Sequence, residues 1–139
     1  MAEFHVAIGD ATTFSKTVGE TDVYLFAGIT GDFSPNHTNQ VYMERSSFGR
    51  RQAHGALLVG FISTASTLAI AHCRDDVTET PVAVGFDRVR FLKPVFLGDT
   101  ITVTYTIAEI DMTKRRSTAK VEIHNQDDDL VAVAQHLLP

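Results

Sequence analysis

The sequence has no tryptophan and one cysteine, Cys73. A lone thiol makes no internal disulfide, so the chain is not a stapled secreted scaffold, and a reducing, cytoplasmic setting fits it. No Cys/His group has zinc-finger spacing, and no metal site is expected. Basic charge is scarce, with 12 Lys+Arg against 17 Asp+Glu and a net charge of -5. Proteins that coat nucleic acid or anionic membranes are normally basic, so neither partner is expected. The first residues, MAEFHVAIGD, carry Glu3 and no apolar segment, unlike a secretory signal. There is no low-complexity tract, repeat or linker.

A membrane span is also missing. The longest uncharged stretch, ALLVGFISTASTLAIAHC from Ala56 to Cys73, falls short of the ~20 apolar residues a span needs. Ser63, Thr64, Ser66 and Thr67 interrupt its middle. It reads as a helix at the centre of a soluble fold. Its small residues Ala56, Gly60, Ala65 and Ala69 are expected to let a sheet approach closely.

Hydrophobic residues make up 44% of the 139 and charged residues 21%. Those values are ordinary for a globular domain and exclude a disordered or coiled-coil chain. The length suits one domain over residues 1–139, able to bury roughly two-thirds of its unfolded surface.

Five of the nine glycines, Gly28, Gly31, Gly49, Gly55 and Gly60, fall between residues 20 and 73. There the pattern is helical. Thr21 is a candidate N-cap, with Asp22 in the first turn. Val23, Phe26 and Ala27 share a face. Gly28 and Gly31 end the helix and Pro35 blocks its continuation. A second short helix is expected near Asn39 to Ser46. The second half reads as strands. In Thr100 to Ile107, Ile101, Val103, Tyr105 and Ile107 alternate with threonines, a period of two. Ser117 to Asn125 repeats the alternation, and Leu130 to Leu138 is apolar on both faces, as a central, doubly covered strand would be. Val82 to Phe91 changes phase, which predicts one extra residue near Asp87–Arg88. Thr12 to Val18 is a candidate edge strand. Segregated helix and sheet make the fold α+β, a long central helix wrapped by an antiparallel sheet. Such a sheet leaves an apolar rim, and a second copy is expected to cover it.

One polar cluster stands out, Thr30-Gly31-Asp32-Phe33-Ser34-Pro35-Asn36-His37. Asp32 and His37, five apart across a turn, can converge on one water. A carboxylate can take a proton from water and an imidazole can hold it or pass a proton on, which suits adding or removing water. Phe26, Ile29 and Phe33 are expected to desolvate the pair. The same spacing also fits a turn aspartate beside a surface histidine. The second cluster, Ala53-His54-Gly55, opens the long helix. Unbonded N–H groups there can polarise a carbonyl oxygen, and Gly55 permits close approach.

The run AGITGDFSPNHTNQVYMERSSFGRRQAHGALLVGFIS resembles the (R)-specific enoyl-CoA hydratases of the MaoC-like family, which have the hot-dog fold. That family's signature is close to G-D-x-N-P-x-H, then F-G, then A-H-G at the start of the central helix. FLKPVFLGDTITV resembles its strand–turn–strand segment. The resemblance implies a dimer of hot dogs, and higher assemblies of such dimers, with no cofactor and no metal. It implies reversible syn hydration of a trans-2-enoyl-CoA to an (R)-3-hydroxyacyl-CoA. Asp32 then activates the water that attacks C3. His37 holds that water, whose proton goes to C2. The Gly55 N–H binds the thioester oxygen, and Ser63 faces the site. Ser34 stands where the family has Asn, Asn36 where it has an aliphatic residue, and Gln52 likewise departs from it before A-H-G. Arg90 and Lys93, with Arg88, form one basic set for the CoA phosphates, and Arg45, Arg50 and Arg51 another. Three alternatives stay open: a dehydratase acting on an acyl carrier protein thioester, a thioesterase, and an acyl-CoA-binding subunit that turns over poorly because of Ser34.

Overall fold

The threonine–aliphatic alternation builds a strand, because a period of two puts every apolar residue on one face. In a computed structural model this strand is β3, Thr100–Asp111. Ile101, Val103, Tyr105 and Ile107 are buried, and the intervening threonines are half-exposed. The structure describes residues 4–73, 75, 78 and 80–139. Glu3, used above to read the N-terminus, lies outside them.

Four more strands, β1 (Ala11–Thr17), β2 (Gly85–Phe91), β4 (Arg116–His124) and β5 (Leu130–Leu138), complete an antiparallel sheet in the order β1-β3-β4-β5-β2. β1 is an edge strand, as expected. Its Ser15 and Thr17 hydroxyls bond those of Thr102 and Thr100 at 2.8 and 2.7 Å. β2, the other edge, starts later than Val82. Its extra residue is where the phase change puts it. Asp87 pairs with Gln135 and Arg90 with Val133, so Arg88 and Val89 together face Ala134. Arg88 takes φ 53, the left-handed conformation such a bulge demands. β5 departs from expectation. Val131, Ala134, His136 and Leu138 are buried, but Val133, Gln135 and Leu137 are only half-buried. Helix covers one face of this sheet only, so the apolar residues of the other face stay partly open.

Four helices precede β2: α1 (Glu20–Thr30), α2 (Pro35–Thr38), α3 (Gln40–Glu44) and α4 (Gly55–Ala69). The N-cap of α1 is Gly19 rather than Thr21, and Asp22 reaches back to accept the Gly19 N–H at 2.8 Å. Gly28 lies inside α1. Termination falls to Gly31 alone, at φ 83, where a side chain would be strained. α4 is shorter than its uncharged run, ending at Ala69 before a single 3-10 turn, Ala71–Cys73. Cys73 is half-buried on that turn.

α4 packs over β1 and β3. Leu58, Ile62, Ala65 and Ser66 form its buried stripe, with i, i+4, i+7 and i+8 spacing. Of the small residues expected against the sheet, Ala65 is buried, whereas Ala56 and Gly60 face outward. The helix is therefore amphipathic in the single chain, with Ser63, Thr67 and Leu68 also exposed. No helix among the described residues is long and apolar enough to cross a membrane.

Tyr105 and His136 form a buried polar pair in the core. The Tyr105 hydroxyl lies 2.6 Å from His136 Nδ1, and Phe86 packs on the imidazole at 4.8 Å. Burial lowers the His136 pKa and raises that of Tyr105, since both charged forms lose their water.

Candidate active site

Local hydrogen bonds fix the loop that leaves α1. The Asp32 N–H donates to Thr30 Oγ1 at 3.2 Å, and Thr30 Oγ1 donates back to the Phe26 carbonyl at 2.8 Å. The Ser34 N–H then donates to Asp32 Oδ1 at 3.2 Å, closing an Asx turn. Pro35 follows in the first turn of α2, where its missing N–H costs nothing. The His37 N–H bonds the Ser34 carbonyl at 2.9 Å. This path turns the chain sharply between Asp32 and His37. Donor atoms of Asp32, His37 and His54 all lie within 4.8 Å of one another.

A second loop, before α4, is tied to the first by three bonds. The Gln52 N–H donates to the Asn36 carbonyl at 2.9 Å. His37 Nδ1 sits 2.7 Å from the Gln52 carbonyl, and His54 Nε2 sits 2.9 Å from the Asp32 carbonyl. A carbonyl only accepts, so Nδ1 of His37 and Nε2 of His54 carry the protons. A neutral His37 therefore has its lone pair on Nε2, available to a water. The two rings stack, with centroids 3.7 Å apart and planes at 25°. Nearly parallel planes cannot both contain one metal ion at bonding distance, so this trio is a poor chelate although its donor atoms are close.

Desolvation of the pair differs from expectation. Ile29 is 81% exposed and Phe33 59% exposed in the single chain. Ile29 lies off the buried Val23 and Ala27 side of α1, and Phe33 lies in the loop after the helix. Phe26 packs at 4.7 Å on the His54 ring rather than on the dyad. Asp32 itself is exposed and His37 half-buried.

Gly55 is the first residue of α4, and His54 is its N-cap. Its N–H has no partner among the described residues, as the first turn of a helix requires. A cleft of about 300 Å³ opens here, lined by His37, Gln52, Ala53, Gly55, Leu58, Phe91 and Lys93 among others. It therefore joins one half of the dyad to the unbonded amide. The Phe91 ring lies tight against Gly55. A Cβ at position 55 would fall 2.6–2.8 Å from three ring carbons. A larger hollow of about 540 Å³ lies outside α3, against Asn39, Val41, Tyr42, Arg45 and Ser46. It contains neither dyad residue.

The remaining candidates divide. Lys93 lines the cleft and pairs with Asp129 at 3.5 Å. Arg90 is exposed and turns back to the Val89 carbonyl at 2.7 Å. Ser34 contributes backbone groups as the N-cap of α2 and makes no side-chain cap bond. Ser63 is exposed on α4 and is not among the residues lining the cleft. Arg51 is a structural clamp. It bonds Glu20, Tyr24 at 2.9 Å and Gln40 at 3.2 Å, tying α1 and α3 to the second loop. The Glu20 carboxylate raises the Arg51 pKa. Arg50 stacks on Phe96 at 4.0 Å. His54 is the residue that sequence reasoning passed over. The signal was its place in A-H-G, but spacing gave no reason to prefer it to its glycine neighbour.

Comparison with known proteins identifies the family and the fold. The chain is 38% identical over 100 residues to an (R)-specific enoyl-CoA hydratase of Rhodospirillum rubrum, covering 71% of this chain and 64% of that protein. It is 33% identical over 111 residues to a 3-hydroxybutyryl-CoA dehydratase of Methylorubrum extorquens, covering 79% and 66%. The chain thus spans just under two-thirds of the length of these two relatives. The structure superposes on an (R)-hydratase of Aeromonas caviae with a TM-score of 0.83, over 96% of each chain at 23% identity, which establishes the hot-dog fold. Residues 3–129 match the description MaoC like domain. With the G-D-x4-H loop folded against the A-H-G helix start, the chain belongs to the MaoC-like dehydratase family.

Proposed function

We propose that the protein is an (R)-specific enoyl-CoA hydratase, catalysing reversible syn hydration of a trans-2-enoyl-CoA to an (R)-3-hydroxyacyl-CoA. The observation that carries this reading is the grouping of the Asp32 carboxylate and the His37 ring within 4.8 Å, cross-tied to the loop that presents the Gly55 amide. A water between Asp32 and His37 Nε2 is polarised from both sides. Asp32 takes its proton as the oxygen bonds C3. Electron density moves to the thioester oxygen, which the Gly55 N–H stabilises with the α4 dipole behind it. The proton held at the dyad then passes to C2 on the same face. One water is added and the dyad returns to its starting state. Lys93 lines the cleft, which supports a role in meeting the phosphate-bearing carrier.

A second copy of the chain completes this reading. Among the described residues the outer edge of β2 is unpaired, and Leu25, Ile29, Phe33 and Val41 form exposed apolar surface. Sedimentation is expected to give twice the chain mass, and a monomer at micromolar concentration would overturn the dimer. The single cysteine suits a reducing compartment, and we place the protein in the cytoplasm.

The direct test is loss of enoyl absorbance with trans-2-enoyl-CoAs of four to twelve carbons, with the chirality of the product determined. Hydration giving the (R) alcohol is expected on at least one chain length. No hydration on any of them rejects the reading. Release of free thiol would instead mark a thioesterase, and turnover confined to carrier-protein thioesters would mark a carrier-protein dehydratase.

A further inference from the structure

His54 is 2% exposed, yet it is a histidine. Its Nδ1 is buried with no hydrogen-bond partner among the described residues. Burying a polar atom unpaired costs stability, and an apolar side chain of similar size would fill the same space without that cost. Two contacts distinguish the imidazole from a filler. Nε2–H donates to the backbone carbonyl of Asp32 at 2.9 Å. The ring lies between His37, stacked at 3.7 Å, and Phe26 at 4.7 Å. One side chain thus touches both halves of the dyad, by a hydrogen bond to one and a flat face to the other. It also directly precedes Gly55, whose amide the reaction uses. A local rule broken at such a point is expected where geometry matters more than stability.

We propose that His54 is a positioning residue that sets the register of Asp32 and His37 against the Gly55 amide. The proposal rests on the hydratase reading for its kinetic consequence, but its structural consequence stands alone. His54 does not reach the reacting atoms. It fixes where the water-holding pair stands relative to the thioester oxygen. A misplacement of about 1 Å in such a constellation commonly costs ~10²-fold in rate.

Two variants separate its contacts. His54→Phe keeps a ring against His37 and loses the donor. His54→Gln retains a donor of similar reach and loses the ring. Thermal melting identifies which variants fold, and either folded variant suffices for the comparison. Amide hydrogen exchange over residues 31–37 is measured without ligand, beside kcat and KM for crotonyl-CoA. Exchange in that loop is expected to accelerate at least ~10-fold in both variants while exchange in β3 and β4 stays unchanged. kcat is expected to fall ~10²-fold in His54→Phe with KM within about threefold, and His54→Gln is expected to recover part of the loss. Unchanged loop exchange, or wild-type kcat in His54→Phe, overturns the proposal. If the wild type itself hydrates nothing, the hydratase reading fails while loop exchange still decides the role of His54.

Discussion

Asp32→Asn is expected to lower the rate of crotonyl-CoA hydration ~10²–10⁴-fold while leaving the fold intact. The substitution removes little else. Asparagine keeps an oxygen that can accept the Ser34 N–H, so the Asx turn at 3.2 Å survives. The bond from His54 goes to the backbone carbonyl of Asp32 and is untouched. Because the side chain is exposed, no core packing is lost. What disappears is the capacity to take a proton from water. An amide can still hold the water, so KM should move little and the loss should fall on kcat. Undiminished hydration in this variant, at an unchanged melting temperature, would show that another group is the base. The result also bears on Ser34. A fast wild type would show that the loop tolerates serine at this position, and that its backbone bonds are enough to aim the dyad.

Much of this architecture was legible because its signals are local. Thr100 to Ile107 alternates strictly, and a strand has no other way to bury four apolar residues together. The phase change in Val82 to Phe91 put the bulge near Asp87–Arg88, and the register shift falls between Asp87 and Arg90, since one extra residue returns both apolar sets to one face. The Asp32–His37 turn was legible for the same reason. What failed depends on partners distant in sequence. Gly28 carries the same chain-ending tendency as Gly31, yet it continues the helix and only Gly31 takes the left-handed conformation that ends it. Ile29 and Phe33 look like desolvating neighbours in a linear reading, yet Ile29 lies off the buried Val23 and Ala27 side of α1 and Phe33 sits exposed in the loop after it. Ser63 falls on the outward side of α4, because the buried stripe runs through Leu58, Ile62, Ala65 and Ser66. Arg51 looked available to a phosphate until its contacts with Glu20, Tyr24 and Gln40 were known. No spacing rule could have shown that His54 stacks on His37, since they meet only when two loops are tied together.

Gly55→Ala is expected to cost ~10²-fold in hydration with little change in melting temperature, and a smaller residue at position 91 should restore part of the activity. The added methyl falls 2.6 Å from Cε2 and 2.8 Å from Cδ2 and Cζ of Phe91, closer than carbon atoms can stand. Something must move. The backbone of Gly55 starts a helix whose buried stripe holds the core, whereas the Phe91 ring is 53% exposed at the edge of the sheet. The ring is the softer partner, so it swings aside and stability changes little. Both residues line the cleft, and the displaced ring has that cleft to enter. The methyl also stands beside the amide that the thioester oxygen must approach. Two effects therefore act together, a blocked path and a shielded N–H. Phe91→Leu in the Gly55→Ala background relieves the first and leaves the second, so recovery should be partial. Full recovery would mean that the methyl leaves the amide open. No recovery, with the double variant folded, would mean that the ring clash is irrelevant. Near-wild-type activity in Gly55→Ala alone would show that neither the displaced ring nor the methyl obstructs the approach to the amide, and would overturn this prediction.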